Sequence, residues 1–393
     1  MNEENKVVDD ISASEATPKE KKLVAFVTSK TDIWREYSRT NYVDKWEEYE
    51  RLWRGIFNES DKTRKSERSK IITPVLQQAI ETYQSEIEEA VFGRGQYFDI
   101  TNDAQDANNV DTDQIKVQLK EDFAKNKVES AISDIITNAA VYGTGIGEIQ
   151  IKFKNDKKPS TQVQGNQVIG GVSEKSEFVV EVKPIHPKNF FIDPNVASLD
   201  EALGCAIEEF VTAHSVIKLQ ESGAYRDVDI GPDGPDDELE PTQDLTYSQD
   251  DKIRVLRYYG LVPKNLLEGL GEDTDVEVED SLDKALEDTA NSDFEEYEEM
   301  VEAIVVIANG GALLKAVANP YMMQDRPIVY YQCDRLPGRF WGRGIAEKGY
   351  NMQKAIDAHV RSHIDGLALT SAPMMAMDST RLPRGAKYEV KPG

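Results

Sequence analysis

Two cysteines and four histidines in 393 residues leave little material for disulfide or metal chemistry. Cys205 and Cys333 are too few for a disulfide framework and lack the paired spacing of a zinc site, so both read as buried thiols of a reducing compartment. Long apolar runs are missing as well. The longest clean stretch, Ala303 to Ala308, suits a strand and falls far short of the roughly 18 residues of a membrane span, so no membrane partner is expected. The opening MNEENKVVDD has no apolar signal core. No G-x-x-x-x-G-K-[ST] loop and no G-x-S-x-G elbow occurs, which argues against a P-loop ATPase and an α/β-hydrolase.

Basic residues are the scarcer sign of charge, 46 against 72 acidic, for a net charge of -26. The imbalance is local. Between Asp227 and Glu302 there are 26 acidic and 5 basic residues, which leaves 46 and 41 for the rest of the chain. Two acidic inserts, 227–251 and 268–302, hold the excess. Such surfaces weaken phosphate binding, so the charge favours passage or exclusion of nucleic acid over sequence reading.

The hydrophobic pattern implies an α+β fold: a helical N-terminal layer, a β-rich middle carrying the acidic inserts, and a long closing helix. Residues 1–30 are polar and without sustained periodicity, and are expected to form a disordered tail. Residues 31–145 read as helices. Trp34, Tyr37, Tyr42, Trp46, Tyr49 and Trp53 recur at helical steps as core or subunit contact. Thr73 as N-cap and Pro74 at the first position open a helix that presents Val75, Leu76, Ala79, Ile80, Tyr83, Ile87 and Val91. A further helix with Val128, Ile132, Ile135, Ile136 and Ala139 stops at Gly143.

From 146 to 335 the period becomes two. IGEIQIKFK, EFVVEVKPI, CAIEEFVT, KIRVLRYYGLV and PIVYYQC read as one β-rich layer, and AIVVIANGGALLKA reads as a hairpin because Asn309 and Gly310 tolerate positive φ. Residues 336–393 hold an aromatic and Gly-rich turn, a long helix ending before Pro373, and the start of an incomplete region.

Candidate chemistry is sparse. Gly143-Thr-Gly145-Ile-Gly147 runs from helix into strand, opposite to a dinucleotide loop, and reads as a C-cap and bend. His359 and His363 have metal-compatible spacing, but Val360 stands where a zinc protease carries its Glu. Both continue the stripe Ile345, Gly349, Met352, Ile356, which favours packing or contact over a metal. Asp227, Asp229 and Asp233 fail as a calcium loop, since Gly231 and Pro232 stand where a ligand and a glycine belong. Arg335, Arg339 and Arg343 cluster before the last helix and Arg361 lies within it. They are candidate contacts to DNA or to neighbouring subunits. No catalytic, metal or cofactor site is assigned.

Five pieces in order carry a resemblance. They are W-E-x-Y-E-R-L-W-R-G (Trp46 to Gly55), R-S-K-x-x-x-P-x-x-x-x-x-I-E (Arg68 to Glu81), A-V-Y-G-T-G (Ala140 to Gly145), H-P-x-N-F-F-I-D-P (His186 to Pro194), and a strand followed by P-G-x-x-W-G-x-G with Pro337, Gly338, Trp341, Gly342, Gly344, Gln353 and Pro373. Together they resemble the portal proteins of short-tailed bacteriophages over about residues 34 to 393. The resemblance implies a non-enzymatic homo-oligomeric ring, usually of twelve subunits, at one capsid vertex. It implies as partners the capsid protein, the terminase large subunit, tail and adaptor proteins, and double-stranded DNA passing without sequence reading. It places the protein in the virion, assembled in the host bacterial cytoplasm. Residues 34–393 would form mostly the wing, with stem, clip and crown in sequence beyond residue 393.

Two rival readings use the same residues differently. A metal-dependent hydrolase would rest on His359, His363 and some of the chain's many carboxylates. An acidic adaptor would use the insert 268–302 to mimic nucleic acid.

Overall fold

The computed structural model describes residues 17–58, 62–63, 68–95, 98–100, 112–164, 167–228, 230, 252–267, 299–321 and 323–371, without the side chains of 152–178. The chain is α+β and divides into two compact units. The first comprises 1–40, 188–326 and 338–340, and the second comprises 41–187, 327–337 and 341–393.

In the first unit, helix α1 (Pro18–Ser38) corrects the expectation of a structureless tail to residue 30. Thr17 and Glu20 form a capping box, and Pro18 opens the helix, which satisfies amides that would otherwise lack partners. Leu23, Val27 and Trp34 are thereby buried against an antiparallel five-stranded sheet. Its strands are β3 (Phe190–Ile192), β4 (Gly204–Thr212), β5 (Lys252–Pro263), β6 (Met300–Ala308) and β7 (Ala312–Ala318), in that order. A short helix, α7 (Lys264–Leu267), follows β5.

Alternation along β5 sends Leu256 and Tyr258 toward α1, where Tyr258 stacks on Trp34 with ring centroids 6.1 Å apart. It sends Ile253 and Val255 to the other face, covered by Val216 of helix α6 (Ala213–Glu221). The expected hairpin joins β6 to β7, with Asn309 at φ 47° and Gly310 at φ 70°.

Buried charges tie this unit together. Glu208 on β4, 4% exposed, receives Arg35 of α1 at 3.1 Å and Arg254 of β5 at 3.4 Å. Arg326 forks onto Glu302 at 2.7 Å and donates to the carbonyls of Leu199 at 2.6 Å and Ala202 at 2.7 Å.

In the second unit, helices α2 (Asp44–Trp53), α3 (Val75–Phe92), α4 (Thr112–Lys125) and α5 (Val128–Tyr142) precede two long strands, β1 (Thr144–Gln164) and β2 (Gln167–Ile185). Strand β8 (Ile328–Gln332) completes a three-stranded sheet in the order β2-β1-β8, and helix α8 (Ile345–Ser371) closes the unit. The single β layer expected over 146–335 is thus two separate sheets in two units. Between α1 and α2 the chain makes a π-helical turn, Arg39–Val43.

Two local expectations are also corrected. Thr73 does not cap α3, because its amide and hydroxyl both bond Asp357. The buried face of α3 is narrower than the apolar pattern implies: Leu76 and Ile80 are buried, whereas Val75 and Val91 are exposed. Cys205 is buried as expected, while Cys333 is only half-buried. Among the described residues no helix is long and apolar enough to cross a membrane. The inserts at 231–251 and 268–298 lie outside the described residues.

Candidate functional site

Of the positions that carried the resemblance, 188–194 and Gly338 belong to the first unit, while several others, Trp46, Tyr142 to Gly145, His186 and Trp341 to Gly344, lie in the second unit around the end of α5. Gly143 takes φ 99° as its C-cap, and β1 begins at the next residue. This left-handed conformation favours glycine. The turn before α8 packs closely onto that bend through its main chain. Gly342 N donates to Thr144 Oγ1 at 2.8 Å, and Cys333 N donates to the Gly143 carbonyl at 3.0 Å. A Cβ on Gly344 would lie 2.8 Å from the Ala140 carbonyl, so this approach also requires glycine.

Aromatic rings seal the bend. Trp46 of α2, 2% exposed, donates its indole N–H to the Tyr142 carbonyl at 3.1 Å and packs edge-on to Trp341, centroids 4.8 Å apart. Tyr42 lies against both tryptophans. On the far side of Tyr142 its hydroxyl meets His186 Nε2 at 3.0 Å. Burial, together with the hydrogen-bonded carboxylate of Glu50, pushes the Tyr142 phenol above its ordinary value, so it stays neutral.

Gln353, the glutamine of the C-terminal resemblance, is 1% exposed on α8. Its Oε1 accepts the Leu76 amide at 3.0 Å, capping α3 from another helix, and its Nε2 donates to the Thr73 carbonyl at 2.6 Å. Asp357, one turn later, accepts the Thr73 amide and hydroxyl at 2.8 and 2.6 Å. The buried stripe of α8 is therefore Ala346, Gln353 and Asp357.

The apolar stripe anticipated for α8 is corrected accordingly. Met352 is 64% exposed, and His359 and His363 are exposed rather than packed within this chain. Among the described residues no three groups of the His, Cys, Asp or Glu type stand together as a metal set.

The arginines divide between the units. Arg335 is exposed in the second unit, and Arg343 there lies 3.9 Å from Glu347. Arg361 donates from Nε to the Ile71 carbonyl at 2.7 Å. Arg339 belongs to the first unit, where its Nε is buried without a hydrogen-bond partner among the described residues.

Sequence reasoning did not find the paired roles of Gln353 and Asp357, the Glu208 and Arg326 ion pairs, or the Tyr142–His186 contact. A usable signal existed for the first: two polar residues at core spacing on an amphipathic helix.

The side chains around the bend are engaged in anchoring contacts. A groove of about 280 Å³ runs along Val75, Ala79, Gly349 and Met352, and a cavity of about 610 Å³ in the first unit is lined by Glu20, Asp32, Arg226 and Leu313. Neither is lined by Tyr142 or His186. No protein-family model matches the chain, and no curated protein matches its sequence.

Proposed function

We propose that this chain is a structural subunit of a portal-type ring at one vertex of a phage capsid, and that it carries out no bond-making chemistry. One observation supports the reading above others: motif pieces separated by up to three hundred residues converge. Trp46, Tyr142 to Gly145, His186 and Trp341 to Gly344 pack around one bend, and Gln353 bonds Thr73 and Leu76 within the Arg68 to Glu81 piece. Unrelated short likenesses have no reason to meet in space. Their polar groups are moreover spent on main-chain bonds that fix helix ends, which suits a rigid building block.

On this reading the partners are further copies of the chain, usually twelve in a ring, then capsid protein, terminase large subunit and tail or adaptor proteins. Double-stranded DNA passes through without sequence reading. A subunit using heterologous contacts closes a ring when the rotation between neighbours permits. Arg335 and Arg343, exposed in the second unit, are the sites where contacts to neighbours or DNA would be sought.

The test is the native mass of the purified protein together with negative-stain images. Closed rings of a single stoichiometry are expected. A strictly monomeric species at micromolar concentration overturns the reading. Stoichiometric zinc in elemental analysis, lost in His363→Ala, would favour a metal-dependent hydrolase instead.

A further inference from the structure

Helix α8 carries a polar ladder whose spacing matches that of an extended chain. Gln353, Asp357, Arg361 and Asp365 recur at every fourth residue, and each bonds the main chain of residues 69–76. Gln353 accepts the Leu76 amide and donates to the Thr73 carbonyl, and Asp357 accepts the Thr73 amide. Arg361 donates to the Ile71 carbonyl at 2.7 Å, and Asp365 accepts the Ser69 amide at 2.8 Å. As α8 runs forward, the bound segment runs backward.

Simple geometry explains the fit. Four helical residues advance about 6 Å, and two extended residues advance about 6.6 Å. A side chain at every fourth helix position therefore meets every second unit of the extended chain, here 73, 71 and 69. The ladder pairs with the segment much as a strand edge would, with acceptors at 357 and 365 and a donor at 361.

Burial is greater at the Gln353 end than beyond it. Gln353 and Asp357 are 1% and 6% exposed, whereas Arg361, Asp365 and Ser69 are half-buried and Ile71 is 45% exposed. Local openings start where burial is least.

We propose that residues 69–73 form a strap that unzips from α8 at its Ser69 end, as a local opening separate from global unfolding, while the Gln353 cap holds the start of α3. The strap thereby decides whether the Arg361–Asp365 end of α8 is covered. This inference concerns a single subunit and stands whether or not rings form.

Amide hydrogen exchange with single-residue fragmentation, on the full chain in low urea, tests it. Protection is expected to rise in the order Ser69, Thr73, Leu76, with Ser69 exchange insensitive to urea. Asp365→Ala removes a bond to a charged acceptor and should speed Ser69 exchange by about tenfold or more, with Leu76 unchanged. Asp357→Ala should speed Thr73 and Ser69 together. Should that variant fail to fold, Asp365→Ala alone decides. Equal rates at the three amides that rise together with urea, or an unchanged Ser69 in Asp365→Ala, overturn the strap.

Discussion

Gly143 and Gly342 lie backbone against backbone: a Cβ added to Gly143 would overlap the Gly342 carbonyl, and one added to Gly342 would sit 2.7 Å from the Gly143 carbonyl. The contact joins the end of α5 to the turn that launches α8, two points almost two hundred residues apart. Two independent demands thus fall on Gly143, its φ of 99° and the space its missing side chain leaves.

Gly143→Ala should therefore cost more than backbone strain alone. A left-handed non-glycine residue costs roughly 1 to 2 kcal/mol, and overlap with main chain that cannot swing aside adds to it. We expect a loss of about 3 kcal/mol or more. Gly55→Ala is the control, because Gly55 also has positive φ, 67°, but nothing lies within 4 Å of its added Cβ. Urea denaturation of both variants checks the comparison, and equal losses would show that the close approach is unimportant.

Trp46→Phe separates the indole hydrogen bond from aromatic bulk. The change leaves the buried Tyr142 carbonyl without its donor at 3.1 Å and trims a ring that packs on Trp341. An orphaned buried acceptor costs about 1 to 3 kcal/mol, and the lost ring volume adds to it. Trp53 is only half-buried, so Trp53→Phe should cost under about 1 kcal/mol. Denaturation midpoints and near-ultraviolet circular dichroism read both, and indistinguishable variants would remove Trp46 from the centre of the bend.

Local chemistry was legible in the sequence where one residue type has few alternatives. Asn309-Gly310 announced the β6–β7 hairpin, and Gly143 announced the end of α5, because positive φ restricts the choice. The start of α1 was legible in principle through Thr17-Pro18-Lys19-Glu20, but its lysines obscured the periodicity of Leu23, Val27 and Trp34. Pairing at a distance was not legible. Nothing local distinguishes β1 and β8, which share one sheet, from β4 to β7, which share another. Gln353 and Asp357 look like surface residues until Thr73 and Leu76, some 280 positions earlier in the chain, supply their partners. The exposure of His359 and His363 follows, since those buried polar groups turn the apolar stripe outward.

Arg326 provides a test in the first unit. Its side chain is 7% exposed, and although burial opposes its charge, the hydrogen bonds of Glu302 prevail and hold the guanidinium protonated. Arg326→Met leaves Glu302 and the Leu199 and Ala202 carbonyls without their donor. Breaking one side of a buried pair typically costs about 3 to 5 kcal/mol. Arg326→Lys keeps the charge but lacks the fork, and should recover less than half of that loss. Denaturant midpoints rank the three proteins, and a lysine variant as stable as the parent would show that charge alone suffices.

Glu48 on α2 offers a pH dependence with a definite sign. Its carboxylate receives Arg51 at 2.6 and 2.9 Å and Lys354 of α8 at 3.3 Å. The Arg51 hydrogen bond, working against partial burial, lowers its pKa from the ordinary 4.5. A carboxyl that holds its proton less tightly in the folded chain than in the unfolded one contributes stability above the unfolded value. That contribution is lost as pH falls through the folded value. Partial exposure limits it, so Glu48→Gln should lose no more than about 1 kcal/mol at neutral pH. The gap between variant and parent should hold from neutrality down toward pH 4.5 and close below it, as the parent takes up its proton. Urea midpoints across that range measure the gap, and a difference that persists or widens in acid would mean that Glu48 acts through packing instead of charge.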